Sequence, residues 1–101
     1  SKLSIFNMNI HTETILSNAS ADTIGEPKKV VIRGLMSVQT RGNFDGAAVK
    51  LQTTLDGSTW YDVAEFTAAG GLTTTLLAAV LRGVVGGGEN TNVTLRVSYT
   101  K

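Results

Sequence analysis

The sequence predicts an all-β protein: a single antiparallel β-sandwich or small β-barrel of about seven strands. Three observations predict it. Apolar and polar residues alternate with a period of two in several segments, most cleanly where Val93, Leu95, Val97 and Tyr99 interleave with Thr94, Arg96, Ser98 and Thr100. Eleven glycines, a single proline and many threonines fit a chain with frequent turns between strands. Turn signals such as Asp56-Gly57 and Gly86-Gly87-Gly88 separate the alternating runs.

With 101 residues the chain is one domain. Residues 1–27 are expected to form an N-terminal arm, strand and loop, and residues 28–101 the β-sandwich core. The first strand is Leu3 to Ile10. Leu3 and Ile5 share one face, and Phe6, Met8 and Ile10 the other. Apolar groups on both faces fit a strand covered by another subunit, and equally an arm lying on its own domain. His11 to Glu26 is the least ordered-looking stretch. Thr14-Ile15-Leu16 is expected to pair only briefly, Ser17 to Thr23 to be loop, and Pro27 to end any ladder because it has no N–H to donate.

Lys28 to Arg41 reads as a long strand. Val30, Ile32, Met36 and Val38 share one parity, and Val31, Arg33, Leu35, Ser37 and Gln39 the other. Gly34 suggests a bulge or bend in it. A turn follows at Gly42 to Gly46, with Phe44 folding back onto the core. The hairpin from Ala48 to Glu65 is expected at the centre of the fold. Val49, Leu51, Thr53 and Leu55 would line its apolar face, Asp56-Gly57 would make the tight turn, and Trp60 would sit near the core. Leu72 to Val85 is open to two readings. Leu77, Leu81 and Val84 fit a helical stripe, while Thr73, Thr74, Thr75 and the later alternation fit a strand, and the all-β surroundings favour the strand. Gly86 to Asn90 is a hairpin loop before the final strand.

Composition narrows the function. Nine Lys and Arg stand against eight Asp and Glu, which disfavours a dedicated nucleic-acid binder or a polybasic membrane binder. There are no cysteines, hence no disulfide framework, thiol nucleophile or Cys-based metal site. Ser1-Lys2-Leu3-Ser4 has no signal-peptide character, and the apolar run Leu76 to Val85 is too short to span a bilayer and contains Arg82.

Groups with catalytic potential are sparse. His11 is the only histidine and has no nucleophile or ligand near it in sequence. Asp45, Asp56 and Asp62 stand in or beside turns. Such aspartates can gather Ca²⁺ but more often bond their own backbone, and their spacing matches no EF-hand loop. Gly86-Gly87-Gly88 lacks the Lys-Ser/Thr and the strand-to-helix setting of a phosphate loop. No catalytic, cofactor or metal residue is therefore assigned, and an enzyme is not expected. Trp60, Tyr61 and Tyr99 are the candidates for an aromatic contact surface, as in carbohydrate-binding modules.

Two resemblances add to this. Thr54-Leu55-Asp56-Gly57-Ser58-Thr59-Trp60 is similar to the Asp-box turn of sialidases and other propellers, short by a residue, and implies hairpin geometry and not hydrolysis. Lys28 to Lys101 as a whole resembles small β-sandwich virion proteins of tailed bacteriophages. The likeness is carried by Asn43-Phe44-Asp45-Gly46-Ala47-Ala48-Val49-Lys50-Leu51-Gln52, by Leu55-Asp56-Gly57-Ser58-Thr59-Trp60, and by Ala79-Val80-Leu81-Arg82-Gly83-Val84-Val85-Gly86-Gly87-Gly88 followed by Val93-Thr94-Leu95-Arg96-Val97. It implies a non-enzymatic structural protein made in the host cytoplasm and located in the virion. The leading expectation is a head decoration or cement protein, often trimeric, whose partners are the major capsid protein or other virion subunits, with no nucleic acid or membrane. A carbohydrate- or receptor-binding module of a tail or fibre, or a neck or tail structural protein, is the alternative. Leu3, Ile5, Phe6 and Met8 are the expected inter-subunit contacts, since strand addition is a common assembly mode.

Overall fold

The computed structural model describes residues 10–100. Six strands run in chain order: β1 (Ile10–Ala19), β2 (Lys28–Asn43), β3 (Ala48–Thr54), β4 (Trp60–Phe66), β5 (Gly70–Gly86) and β6 (Asn92–Thr100). Ile24 adds a one-residue bridge to Val84. All pairings are antiparallel, in the order β1-β6-β2-β5-β3-β4, and the sheet is open, with no closure into a barrel.

The two long strands organise this sheet. β2 pairs with β5 from Lys28 to Thr40, and its C-terminal half, Met36 to Asn43, also pairs with β6. β5 pairs with β2 through its first part and with β3 from Leu81 to Gly86. β5 thus serves its two partners nearly in succession, while Met36 to Thr40 of β2 is paired on both edges at once. Side chains of the β1–β6 end reach the backbone of β5, although β2 separates them in the sheet. A Cβ on Gly83 would stand 2.5 Å from Leu16 Cγ and 3.1 Å from Leu95 Cδ2. The Gly83 backbone lies this close to the facing layer because it carries no side chain.

The enclosed face is apolar, as burial of a period-two pattern requires. Val30, Ile32, Met36 and Val38 of β2 and Val93, Leu95, Val97 and Tyr99 of β6 are all buried, on the parity the sequence assigns to them. Val49 and Leu51 of β3, Leu81 and Val85 of β5, and Phe44 from the β2–β3 turn complete the core.

Several expectations are corrected. The β3–β4 hairpin is the edge of the sheet, and β2 with β5 is its centre. Trp60 is only partly buried and stands outside the core cluster. Leu55 does not join the Val49–Leu51 face. A register shift after Leu51 reverses the alternation, so Thr54 turns inward and Leu55 is 85% exposed. His11 to Ala19 is not loose but belongs to a ten-residue strand, and Ile15, Leu16 and Ala19 enter the core. Lys28 Nζ donates to the Thr14 carbonyl and ties this strand to the start of β2. The core thus includes part of the stretch expected to be an arm. The irregularity of β2 falls between Lys29 and Ile32; Gly34 keeps its place opposite Leu76 with φ of 127°, a conformation open to glycine alone at little cost. Leu72 to Val85 is strand throughout, with Leu81 buried and Leu77 exposed, where a helical stripe would place them together.

Candidate functional site: the outer face of the β1–β6–β2–β5 layer

The buried parity of each strand leaves the other parity outside, and the register aligns those outer residues in rows across the layer. One row runs Thr14–Arg96–Gln39–Gly71. The next is Thr12–Ser98–Ser37–Thr73. Beyond it Ile10 faces Thr100 and Leu35 faces Thr75, and Leu35 precedes Met36, the partner of Tyr99, so these four form a third row. Arg33 opposite Leu77 extends the apolar end, and Arg41 opposite Thr94 closes the other.

The face is therefore graded. At one end Arg41, Arg96, Gln39 and Thr94 surround a shallow trough of about 280 Å³, whose far wall is Gly70-Gly71. The trough exists because β5 begins with two residues that have no side chain, beside strands that carry long ones. In the middle is a hydroxyl band: Thr12 Oγ1 and Ser98 Oγ are 3.0 Å apart, and Ser37 Oγ and Thr73 Oγ1 3.2 Å. At the other end Ile10, Leu35 and Leu77 are 63%, 66% and 77% exposed, with Val31 beside them.

The charge on this face is of one sign. Arg33, Arg41 and Arg96 are on it, and no aspartate or glutamate occupies any of its positions among the described residues. The ion pair among the described residues is elsewhere, Lys50 Nζ to Asp62 Oδ2 at 3.3 Å. Arg96 Nε is shut off from solvent and has no hydrogen-bond partner among the described residues. A buried guanidinium nitrogen in that state has lost its hydration without replacement, a cost of the kind that a bound acceptor removes.

The described residues that the sequence singled out lie elsewhere. Leu3, Ile5, Phe6 and Met8 fall outside the described residues. Trp60, Tyr61 and Tyr99 do not share a surface. Trp60 and Tyr61 are consecutive on the edge strand β4, while Tyr99 is buried on β6, stacked on His11 at 5.9 Å between ring centroids. Burial, followed by the nearby Glu13 charge, raises the Tyr99 pKa. The Trp60 ring is covered by the Arg82 guanidinium, 4.1 Å from its centroid. Arg82 Nε also donates to Gln52 Oε1 (2.9 Å) and Gln52 Nε2 to Asp62 Oδ1 (2.8 Å), so the indole face is engaged by the protein itself. The Gln52 hydrogen bond, helped by Lys50, lowers the Asp62 pKa.

The turn aspartates bond backbone. Asp56 Oδ1 accepts from Thr59 N (2.7 Å) and Ser58 N (2.8 Å), and these bonds lower its pKa. Asp45 accepts from Asn90 N at 2.7 Å and Asp22 from Gly87 N at 2.8 Å, so two carboxylates from distant turns hold the Gly86–Asn90 loop. Among the described residues no three His, Cys, Asp or Glu side chains gather as a metal site, and no helix is long and apolar enough to cross a membrane.

The arginine trough was missed in the sequence. Its signal was present: the outward parity of β2 and β6 carries arginines and no acid. What joins Arg96 to Gln39 and Gly71 is the register, which local alternation does not contain. No protein-family model, curated protein or solved structure gives a significant match to this chain.

Proposed function

We propose that this is a non-enzymatic structural protein that works by docking the outer face of its β1–β6–β2–β5 layer onto another protein. The observation that carries the reading is the run of Ile10, Leu35 and Leu77, exposed together at one end of a face whose other end bears Arg41 and Arg96. Leu35 and Leu77 are diagonal neighbours across β2 and β5, and exposed apolar groups that adjoin in this way beside polar ones are typical of interaction surfaces. With the resemblance to small phage virion proteins, the reading becomes a capsid decoration protein. It bridges neighbouring subunits of the shell, as a trimer, and adds buried area between them.

The test is co-sedimentation of the purified protein with expanded phage capsids. Saturable binding that is lost when Leu35 and Leu77 are both changed to Ser supports it, the substitutions being outward and harmless to the core. No binding to capsids rejects decoration. Binding indifferent to the double substitution rejects this face.

A further inference from the structure

The arginine trough has a shape and a charge that identify what it takes. Arg41 and Arg96 lie on neighbouring strands in adjacent rows: Arg96 faces Gln39, and Arg41 is two residues on from Gln39. Side chains in that diagonal relation reach a common point above the sheet. Arg41 and Arg96 both line the trough, and two guanidiniums at one trough offer forked N–H donors, which match a carboxylate better than any neutral group. Among the described residues no acid lies on this face, and Arg96 Nε is dry and has no hydrogen-bond partner. Gly70-Gly71 leaves the trough open from the β5 side.

We propose that the trough binds a carboxylate of an extended acidic–apolar segment of a partner protein, and that the same segment sets an apolar side chain over Leu35. The geometry fixes the spacing. Gln39, in the trough, and Leu35, at the apolar end, are four residues apart on β2, about 13 Å at roughly 3.3 Å per residue. An extended ligand covers that distance with four residues of its own. Because strand side chains repeat every second residue, an acid and an apolar residue four apart project to the same side. The hydroxyl band of Ser98, Ser37 and Thr73 lies beneath the intervening residues and bonds their polar groups. A polyanion fits less well, since beyond the trough only Lys29 and Arg33 add cations on the outward parity of β2 and the chain carries a net charge of +1.

The inference rests on the outer face being a protein-docking surface and not on which protein docks there, so its test uses the isolated protein without capsids. The probe is a seven-residue peptide, blocked at both ends, with Glu and Leu four residues apart in a Ser/Thr background. Binding is followed by NMR through the backbone amides and the Arg Nε–Hε resonances. The expected result is a saturable shift of the Arg96 Nε–Hε signal and of amides from Leu35 to Arg41. Arg96→Gln, and independently the exposed Arg41→Gln, should each weaken binding about tenfold, as loss of a charge-assisted hydrogen bond does. A peptide with Gln for Glu, and one with Glu and Leu only three apart, should bind about tenfold more weakly. The proposal is overturned if the Gln peptide binds equally well, if spacing has no effect, if Arg41→Gln with an unchanged amide fingerprint binds within twofold of the parent, or if inorganic phosphate produces the same shifts with equal affinity.

Discussion

Leu16 of β1 rests directly on the bare backbone of Gly83 in β5, so close that a Cβ there would meet Leu16 Cγ at 2.5 Å. This is where the β1 edge of the sheet touches the central strand β5 across the core. Gly83→Ala should destabilise the protein by about 1–3 kcal/mol through overpacking, and Leu16→Ala by about 2–5 kcal/mol through the cavity it leaves. The double variant should cost less than the sum, because removing Leu16 makes room for the new methyl. Urea denaturation midpoints of the three variants check this. An additive result would show that the two residues do not meet.

Trp60 is the only tryptophan, so its fluorescence reports the Arg82 contact without interference. Arg82→Gln removes the cation from the ring face while keeping an amide near Gln52. The indole should then be quenched more readily by acrylamide, at a stability cost of about 0.5–1 kcal/mol, the usual range for an exposed cation–π pair. Unchanged quenching would mean that the guanidinium does not shield the ring in solution.

Asp56 makes the β3–β4 turn sensitive to acid. Its pKa is lowered below 3.8 by the Thr59 and Ser58 amides, so its ionised form favours the folded state. The contribution is complete above 3.8 and disappears as pH falls through the lower folded-state value. Asp56→Asn should therefore flatten the dependence of hairpin stability on pH in that acid window and leave the alkaline side unchanged. Hydrogen exchange and acid titration of the Leu55–Thr59 amides, followed by NMR, would show it.

Tyr99 acts in the opposite window. Burial raises its pKa above 10.0, so the neutral phenol is the folded form. Its contribution is complete below 10.0 and is lost as pH rises through the raised value. Tyr99→Phe should remove that alkaline loss, with little change at neutral pH. Thermal unfolding at a series of alkaline pH values compares the two proteins directly.

Strands whose inner face is an uninterrupted apolar parity were legible in the sequence. Val30 to Val38 and Val93 to Tyr99 are buried as their alternation demands. β1 was not legible, because Thr12, Glu13 and Thr14 are polar and the register shifts around Leu16 put Ile15 and Leu16 inward in succession. Trp60 was misplaced for a different reason. A large aromatic on a strand implies a core position, but Arg82, distant in sequence, offers the indole a partner at the edge of the sheet. Strand order is a property of which distant segments meet, so nothing in the Asp-Gly hairpin itself could tell an edge from a centre. The same holds for the trough, one side of which is two glycines of β5 brought beside Thr40 and Gln39 only by pairing.

The order of the strands also sets the order in which the protein can be made. The sheet neighbour of β1 is β6, with Ile10 against Thr100. As the ribosome releases the chain, β1 has no edge to join until β6 has emerged. β2 likewise waits for β5 across the whole β3–β4 hairpin. Only that peripheral hairpin can form early from neighbours in sequence. Folding is thus expected to be late and concerted, with Ile15 and Leu16 exposed until β6 has been released and with the slow rates typical of distant strand pairing.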